Sequence, residues 1–111
     1  MRSYFADDLL LLLPLTNGEG LQLHGEVLGT HRGPLALSLA DEATHSPAAI
    51  GLDLTHVSYV ADSVVWVLLA VARRLGPGQH LDVRAGPELN LRERFSRVGE
   101  NLTSQLRLTD A

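Results

Sequence analysis

Apolar and polar positions change period several times along the chain, and each change marks an element. Residues 9–15 form an apolar run interrupted by Pro14, which predicts a first strand near a sheet edge, because proline cannot donate to a ladder. Thr16, Asn17, Gly18, Glu19 and Gly20 form a turn by composition. Leu21, Leu23 and Val27 then alternate with Gln22 and His24, the pattern of a strand with one wet face. Together these segments predict an opening β-hairpin.

Residues 33–44 fit two templates. Leu35, Leu37 and Leu39 alternate with Ala36, Ser38 and Ala40, as in a strand. Pro34 at a helix N1 position and the shared helical face of Leu35, Leu39 and Ala43 favour a helix, which is the expectation. Residues 49–59, with Ile50, Leu52, Leu54 and Val57 after Ser46 and Pro47, predict a buried strand running into a short loop. Residues 62–75 carry helix signals at both ends. Asp62 and Ser63 can cap the first turn, Arg73 and Arg74 suit the last, and Gly76-Pro77-Gly78 ends it.

Leu81, Val83 and Ala85 alternate with Asp82 and Arg84, giving another strand. Gly86-Pro87 opens a helix with Leu91, Phe95 and Val98 on one stripe, and Gly99 closes it. A short strand over 104–108 completes the order β-β-α-β-α-β-α-β. The prediction is an α/β fold: a mixed, mainly parallel sheet with an N-terminal hairpin and about three helices packed on it.

Composition narrows the function classes. The 111 residues suit one domain spanning 1–111, and 45% hydrophobic content is that of a globular chain. A net charge of -4 with scattered arginines lacks the basic stripe that nucleic-acid binding needs. Cysteine is absent, which removes disulfides, thiol nucleophiles and thiolate metal sites. The run 9–13 does not read as a signal peptide, with Asp7 and Asp8 before it, Pro14 after it and no cleavage site. The longest apolar run, 64–72, is far short of the roughly 18 residues a membrane span needs. The expectation is a cytoplasmic protein that engages neither membrane nor nucleic acid.

The segment 52–68 reads Leu-Asp-Leu-Thr-His-Val-Ser-Tyr-Val-Ala-Asp-Ser-Val-Val-Trp-Val-Leu. This strand–loop–helix junction resembles the STAS domain family, which includes the antagonists of bacterial anti-sigma factors. The family pattern is an Asp-Leu strand, a loop with an Asp-Ser-Ser/Thr-Gly element, then a helix. The strand 81–85 followed by Pro87-Glu88 and a helix ending Val98-Gly99 is also similar, and Leu23, Gly25, Glu26 and Val27 weakly match its opening strand. The resemblance covers about nine tenths of the chain on this pattern reading. It places Ser63 on the position phosphorylated in many of these antagonists. Three residues depart from the pattern: Ala61 stands where the family has an aspartate, Val64 replaces the glycine after the acceptor, and Trp66 replaces a second glycine. Asp62 supplies a carboxylate one residue later.

Two readings of Ser63 follow. The first N–H groups of a helix lack intrahelical partners and carry the positive end of its dipole. A phosphate on Ser63 is accommodated there, while its charge of about -1.5 to -2 repels an acidic or apolar partner. Alternatively, Ser63 only caps the helix, a role worth about 1 kcal/mol. The helix behind it is apolar on every face over 64–72, unlike an ordinary surface helix. Trp66, with Val67 and Ala70, is therefore assigned to a protein interface, in a homodimer or a partner complex; the alternative folds Trp66 over the domain's own core.

Catalytic and ligand chemistry is weaker. Ser63, His56 and Asp53 are triad residue types, but no Gly-x-Ser-x-Gly elbow surrounds the serine, and no catalytic residue is assigned. His24, His31, His45, His56 and His80 are dispersed and read as polar surface residues rather than metal ligands. Gly76 and Gly78 flank a proline and end a helix, so they form no phosphate cradle, and no cofactor is expected. The Asn101-Leu102-Thr103 sequon reads as coincidental. The charges of 92–97 and the pair Asp41-Glu42 read as solvated helix faces.

The leading expectation is a regulatory protein-binding module rather than an enzyme, with Asp62, Ser63, Trp66, Val67 and Ala70 facing the partner. The resemblance implies that this partner is an anti-sigma factor with an ATP-dependent serine kinase domain. It would bind the unphosphorylated form and lose it on phosphorylation of Ser63, so the module would regulate transcription and the ATP would belong to the kinase. A scaffolding or oligomerisation module that is never phosphorylated is the second reading, which Ala61 and Val64 favour. A small-ligand sensor is the third.

Overall fold

The structure is a computed structural model that describes residues 5–16, 20–46, 48–98 and 105–110. The predicted turn at 16–20 is only partly among these, and Pro47, Gly99 and the 101–103 sequon lie outside them. In chain order the elements are β1 (Phe5–Ala6), β2 (Leu10–Pro14), β3 (Gly20–Val27), α1 (Arg32–His45), β4 (Ala49–Val60), α2 (Asp62–Arg73), β5 (His80–Ala85), α3 (Leu91–Val98) and β6 (Leu106–Asp110). Short 3-10 turns at Gly29–His31 and Pro87–Leu89 precede α1 and α3.

The strands form one six-stranded sheet in the order β1-β2-β3-β4-β5-β6. The pairs β1–β2 and β2–β3 are antiparallel, and β3 to β6 run parallel. The mixed, mainly parallel α/β sheet of the sequence reading is therefore present. Three parallel crossovers step in one direction, and right-handed connections of that kind put every helix on the same face. Helix α2 packs between α1 and α3, as such a single layer requires.

One sheet face is the core. Leu10 and Leu12, Leu21 and Leu23, Ile50, Leu52 and Leu54, Leu81 and Val83, and Leu106 point into it. Leu35 and Leu39 of α1, Val64, Val65, Leu68 and Leu69 of α2, and the fully buried Phe95 of α3 meet them. Truncating Phe95 to alanine would cost about 3–5 kcal/mol. The opposite face carries the polar half of the alternation in β3, β5 and β6, whereas β2 turns Leu11 and Leu13 to it. A row runs across it through Leu13, Gln22, Asp53, Arg84 and Thr109, residues that are register partners from strand to strand.

Strand β4 uses twelve residues beside the eight of β3, and the register slips between Gln22 and His24 and again between Gly25 and Glu26. Extra residues of this kind bend a strand and re-aim its side chains. Gly25 has φ +111, and a β-carbon there would stand 2.0 Å from the Leu9 carbonyl oxygen, so only glycine admits this approach of β2.

Several sequence expectations are corrected. The 33–44 segment is helical, but Pro34 is the third residue of α1 rather than the first. Strand β4 continues to Val60, leaving Ala61 alone between it and α2 where a loop was expected. The two-residue β1 was not anticipated, and β6 starts at Leu106. Pro87 opens a 3-10 turn, and α3 begins only after Asn90, whose φ of +53 breaks the two apart.

Asp41-Glu42 is not a solvated pair. Glu42 is buried at 1% exposure, and its carboxylate accepts from the Gly20 N–H at 2.9 Å. Helix α1 packs against β3, so the turn bearing Glu42 faces the sheet. Nor is His31 a surface histidine. It is buried beneath the edge of the Phe5 ring, with Nδ1 accepting from the Leu28 N–H and Nε2 bonded to the Asp7 carboxylate at 2.7 Å.

Candidate functional site

The junction between β4 and α2 lies where the parallel strands end. The Ala61 N–H donates to the Val27 carbonyl at 2.9 Å, pinning the end of β4 to the end of β3. Ala61, with φ -68 and ψ 151, is the extended residue that caps α2, and no side chain makes a capping bond there. The expected caps, Asp62 and Ser63, are instead the first two residues of the helix. That removes capping as the role of Ser63.

Each side chain of the first turn has a different surrounding. The Asp62 carboxylate turns toward α3 and pairs with Arg94 at 2.9 Å. Arg94 also donates to the carbonyls of Val60 at 2.5 Å and Leu89 at 3.4 Å, so it is no member of a solvated face. Ser63 is half-buried; a β-carbon on Gly29 would stand 3.1 Å from its hydroxyl, so the bare glycine makes room for it. Val64 points into the core.

Helical geometry then sorts the apolar run into two faces. Val64, Val65, Leu68, Leu69 and Ala72 are buried, at positions that recur every three or four residues. Asp62, Trp66 and Ala70 lie four apart on the exposed side, flanked by half-buried Ser63 and Val67. The five residues assigned to a partner surface therefore occupy one contiguous stripe. Trp66 is 51% exposed, which argues against its being folded over the domain's own core. Beside it lies a cleft of about 160 Å³ lined by Asp62, Val65, Trp66, Arg94 and Arg97. Arg97 is tied within α3 to Glu93.

The N–H groups of a first helical turn point outward and carry partial positive charge. The adjacent Asp62 charge is countered by Arg94. Arg94 and Gly29 are the residues that sequence reasoning missed. Arg94 touches positions 34 and 32 residues away, and no local spacing announces such contacts.

The structure does not assemble the serine, histidine and aspartate named above. Asp53 accepts from the Thr55 hydroxyl and N–H, and His56 stacks on His24 on the uncovered sheet face. Among the described residues no hydrogen bond joins Ser63 to either. Partial burial pushes the Asp53 carboxyl up, but the two Thr55 hydrogen bonds and the nearby His56 and Arg84 outweigh it and hold it below its ordinary range. A hollow of about 290 Å³ lies on this face, lined by Leu15, Gly51, Leu52, Asp53, Asp82, Arg84 and Thr109. Among the described residues no three histidine or acidic side chains cluster as a metal set, and no helix is long and apolar enough to cross a membrane.

No family model matches the chain, and no curated protein matches it in sequence. Among solved structures it is similar to the crystal structure of an anti-sigma factor antagonist from Mycobacterium paratuberculosis. The TM-score is 0.72 at 23% identity, over 92% of this chain and 88% of that one. The STAS-like fold that the sequence pattern suggested is thus present in three dimensions.

Proposed function

We propose that residues 1–111 act as one regulatory protein-binding domain, a cytoplasmic anti-sigma factor antagonist whose partner face is the exposed stripe of α2. The observation that carries this reading is the half-exposed Trp66 on the same helix face as Ser63, one turn into the helix. An isolated tryptophan gains nothing from water, whereas a tryptophan in a protein interface is a common source of binding energy. The likeness to a solved antagonist supports the same role. The partner is an anti-sigma factor with a serine kinase domain. Phosphate on Ser63 adds about -1.5 to -2 charge beside Trp66 and weakens that contact.

A second reading is favoured by one observation: Ser63 packs against Gly29 and its neighbour Val64 is fixed in the core, which restrains the segment a kinase would need to grip. In that reading the α2 stripe supports constitutive assembly, including a homodimer, without phosphorylation.

Affinity purification from native cells with the wild type, Ser63→Ala and Ser63→Asp decides between them. For the switch, Ser63→Ala retains a kinase-like partner, Ser63→Asp loses it, and intact mass shows one phosphate on the wild type only. Identical partners for all three forms, with no phosphate, select the scaffold.

A further inference from the structure

The charges of the chain are unevenly divided. Arg73, Arg74, Arg92, Arg94 and Arg97 lie on α2, its C-terminal cap and α3, where Asp62 and Glu93 are the only carboxylates. That leaves three positive charges on this helical flank and, in a chain of net charge -4, seven negative ones elsewhere. We propose that the α2 stripe docks an acidic amphipathic helix of a partner protein, and that the flanking arginines select this partner by charge. The inference rests on the protein-binding reading above and adds the chemistry of what is bound.

Trp66 and Ala70 are one turn apart on the exposed side of α2, and Arg73 follows three residues later on the same face. Arg73 and Arg74 are exposed, and among the described residues neither guanidinium has an ion pair or a hydrogen bond. At the other end of the stripe, Arg94 and Arg97 line the α3 side of the 160 Å³ cleft beside Trp66. Arg94 is committed to Asp62 and Val60. Arg97 is exposed and pairs with Glu93 on its own helix, a kind of surface contact that contributes little and exchanges readily. The apolar strip of Trp66, Val67 and Ala70 therefore has a cation near each end, Arg97 beside Trp66 and Arg73 about 10 Å along the helix axis. Two turns of a partner helix span that distance. Leucines one turn apart would meet Trp66 and Ala70, with a glutamate reaching each arginine.

Charge also decides against other occupants. A second copy docked through the same stripe sets this positive flank against itself, because a two-fold interface is self-complementary. A long polyanion is repelled by the negative remainder of the chain, whereas a short acidic segment touches the flank alone. A phosphate on Ser63 would add like charge close to those glutamates, the sign that the switch requires.

Trp66 is the only tryptophan of the chain, so its emission reports on this stripe alone. The full chain is titrated with a leucine and glutamate amphipathic helical peptide, and with the same peptide carrying glutamine or lysine in place of glutamate. The expected result is a blue shift with the acidic peptide, and binding of the other two that is weaker by about fivefold or more. Raising NaCl from about 0.05 M to about 0.5 M weakens the acidic peptide to a similar degree. Arg73→Gln with Arg97→Gln costs about fivefold in affinity. Arg84→Gln with Arg107→Gln removes equal charge from the opposite sheet face and leaves the affinity within about twofold.

Equal binding of the three peptides overturns the proposal. So does equal loss in the two arginine pairs, a tighter response to a single-stranded oligonucleotide, or no shift with the acidic peptide. The affinity purification described above keeps the underlying reading separate. A kinase-like partner retained equally by the wild type and by the Arg73→Gln, Arg97→Gln protein leaves that reading standing and removes only the acidic helix.

Discussion

The guanidinium of Arg94 donates to the carbonyl oxygen of Val60 at 2.5 Å, joining α3 to the last residue of β4 just before the chain turns into α2. The same nitrogen holds Asp62 at 2.9 Å. Because Arg94 is largely buried at 19% exposure, these bonds are poorly replaced by water. Arg94→Ala is expected to lower stability by about 1.5–3 kcal/mol, the range for hydrogen bonds to a charged group. Arg94→Lys should recover only part, since an ammonium lacks the planar fork that serves several acceptors. Urea midpoints of the three proteins check this, and equal midpoints would show that Val60 finds another donor.

Glu42 offers a contrasting case, a buried carboxylate on the Gly20 N–H. Glu42→Ala removes the acceptor of that 2.9 Å bond and should cost about 1–3 kcal/mol. Glu42→Gln keeps an acceptor oxygen and should cost less. Hydrogen exchange at Gly20, faster in the alanine variant than in the glutamine one, reports the bond directly.

Acid sensitivity follows from Asp7. The Leu9 N–H, then His31, then the Leu10 N–H hold its carboxyl below the ordinary value of 3.8, against a smaller opposing effect of burial. The folded state thus binds a proton at Asp7 less readily than the unfolded chain. The resulting stabilisation is complete above the ordinary value and is lost as pH falls through the lowered one. Thermal unfolding should show wild type above Asp7→Asn at neutral pH, with the gap closing below about pH 4. A gap independent of pH would mean that Asp7 acts through packing alone.

Trp66→Ala separates binding from folding. With half its surface already in water, its removal should cost on the order of 1 kcal/mol of stability or less. Partner retention or self-association should weaken by at least about 2 kcal/mol, some thirtyfold, if Trp66 anchors the interface. Urea unfolding measures the first quantity, and sedimentation or calorimetric binding measures the second.

Much of this was legible in the chain because burial on one face imposes a period. Leu21 and Leu23, Ile50 and Leu52, and Leu81 and Val83 alternate as strands and are strands. The apolar 64–72 run marked α2, and the stripe of Trp66 and Ala70 is the part its own core leaves uncovered. What escaped was set by distant packing. Two residues, Phe5 and Ala6, are too few to show any period. Nothing near Glu42 signals that its turn faces β3, and nothing near His31 announces Asp7, 24 positions earlier. The helix begins at Asp62 as expected, but its cap was misassigned, because Asp62 and Ser63 have the chemistry of caps while Ala61 has the backbone geometry of one. Arg94 looked like its neighbours Arg92 and Arg97 and differs from them in lying on the side of α3 that faces the end of β4 and the start of α2.

The strand order has a further consequence. Every strand pairs first with the one synthesised just before it, so no strand must be threaded between two that are already joined. The sheet can lengthen at one edge as the chain leaves the ribosome, each parallel crossover closing a loop of modest length. Until β6 is in place, the growing edge is always the one that the next strand to emerge will cover.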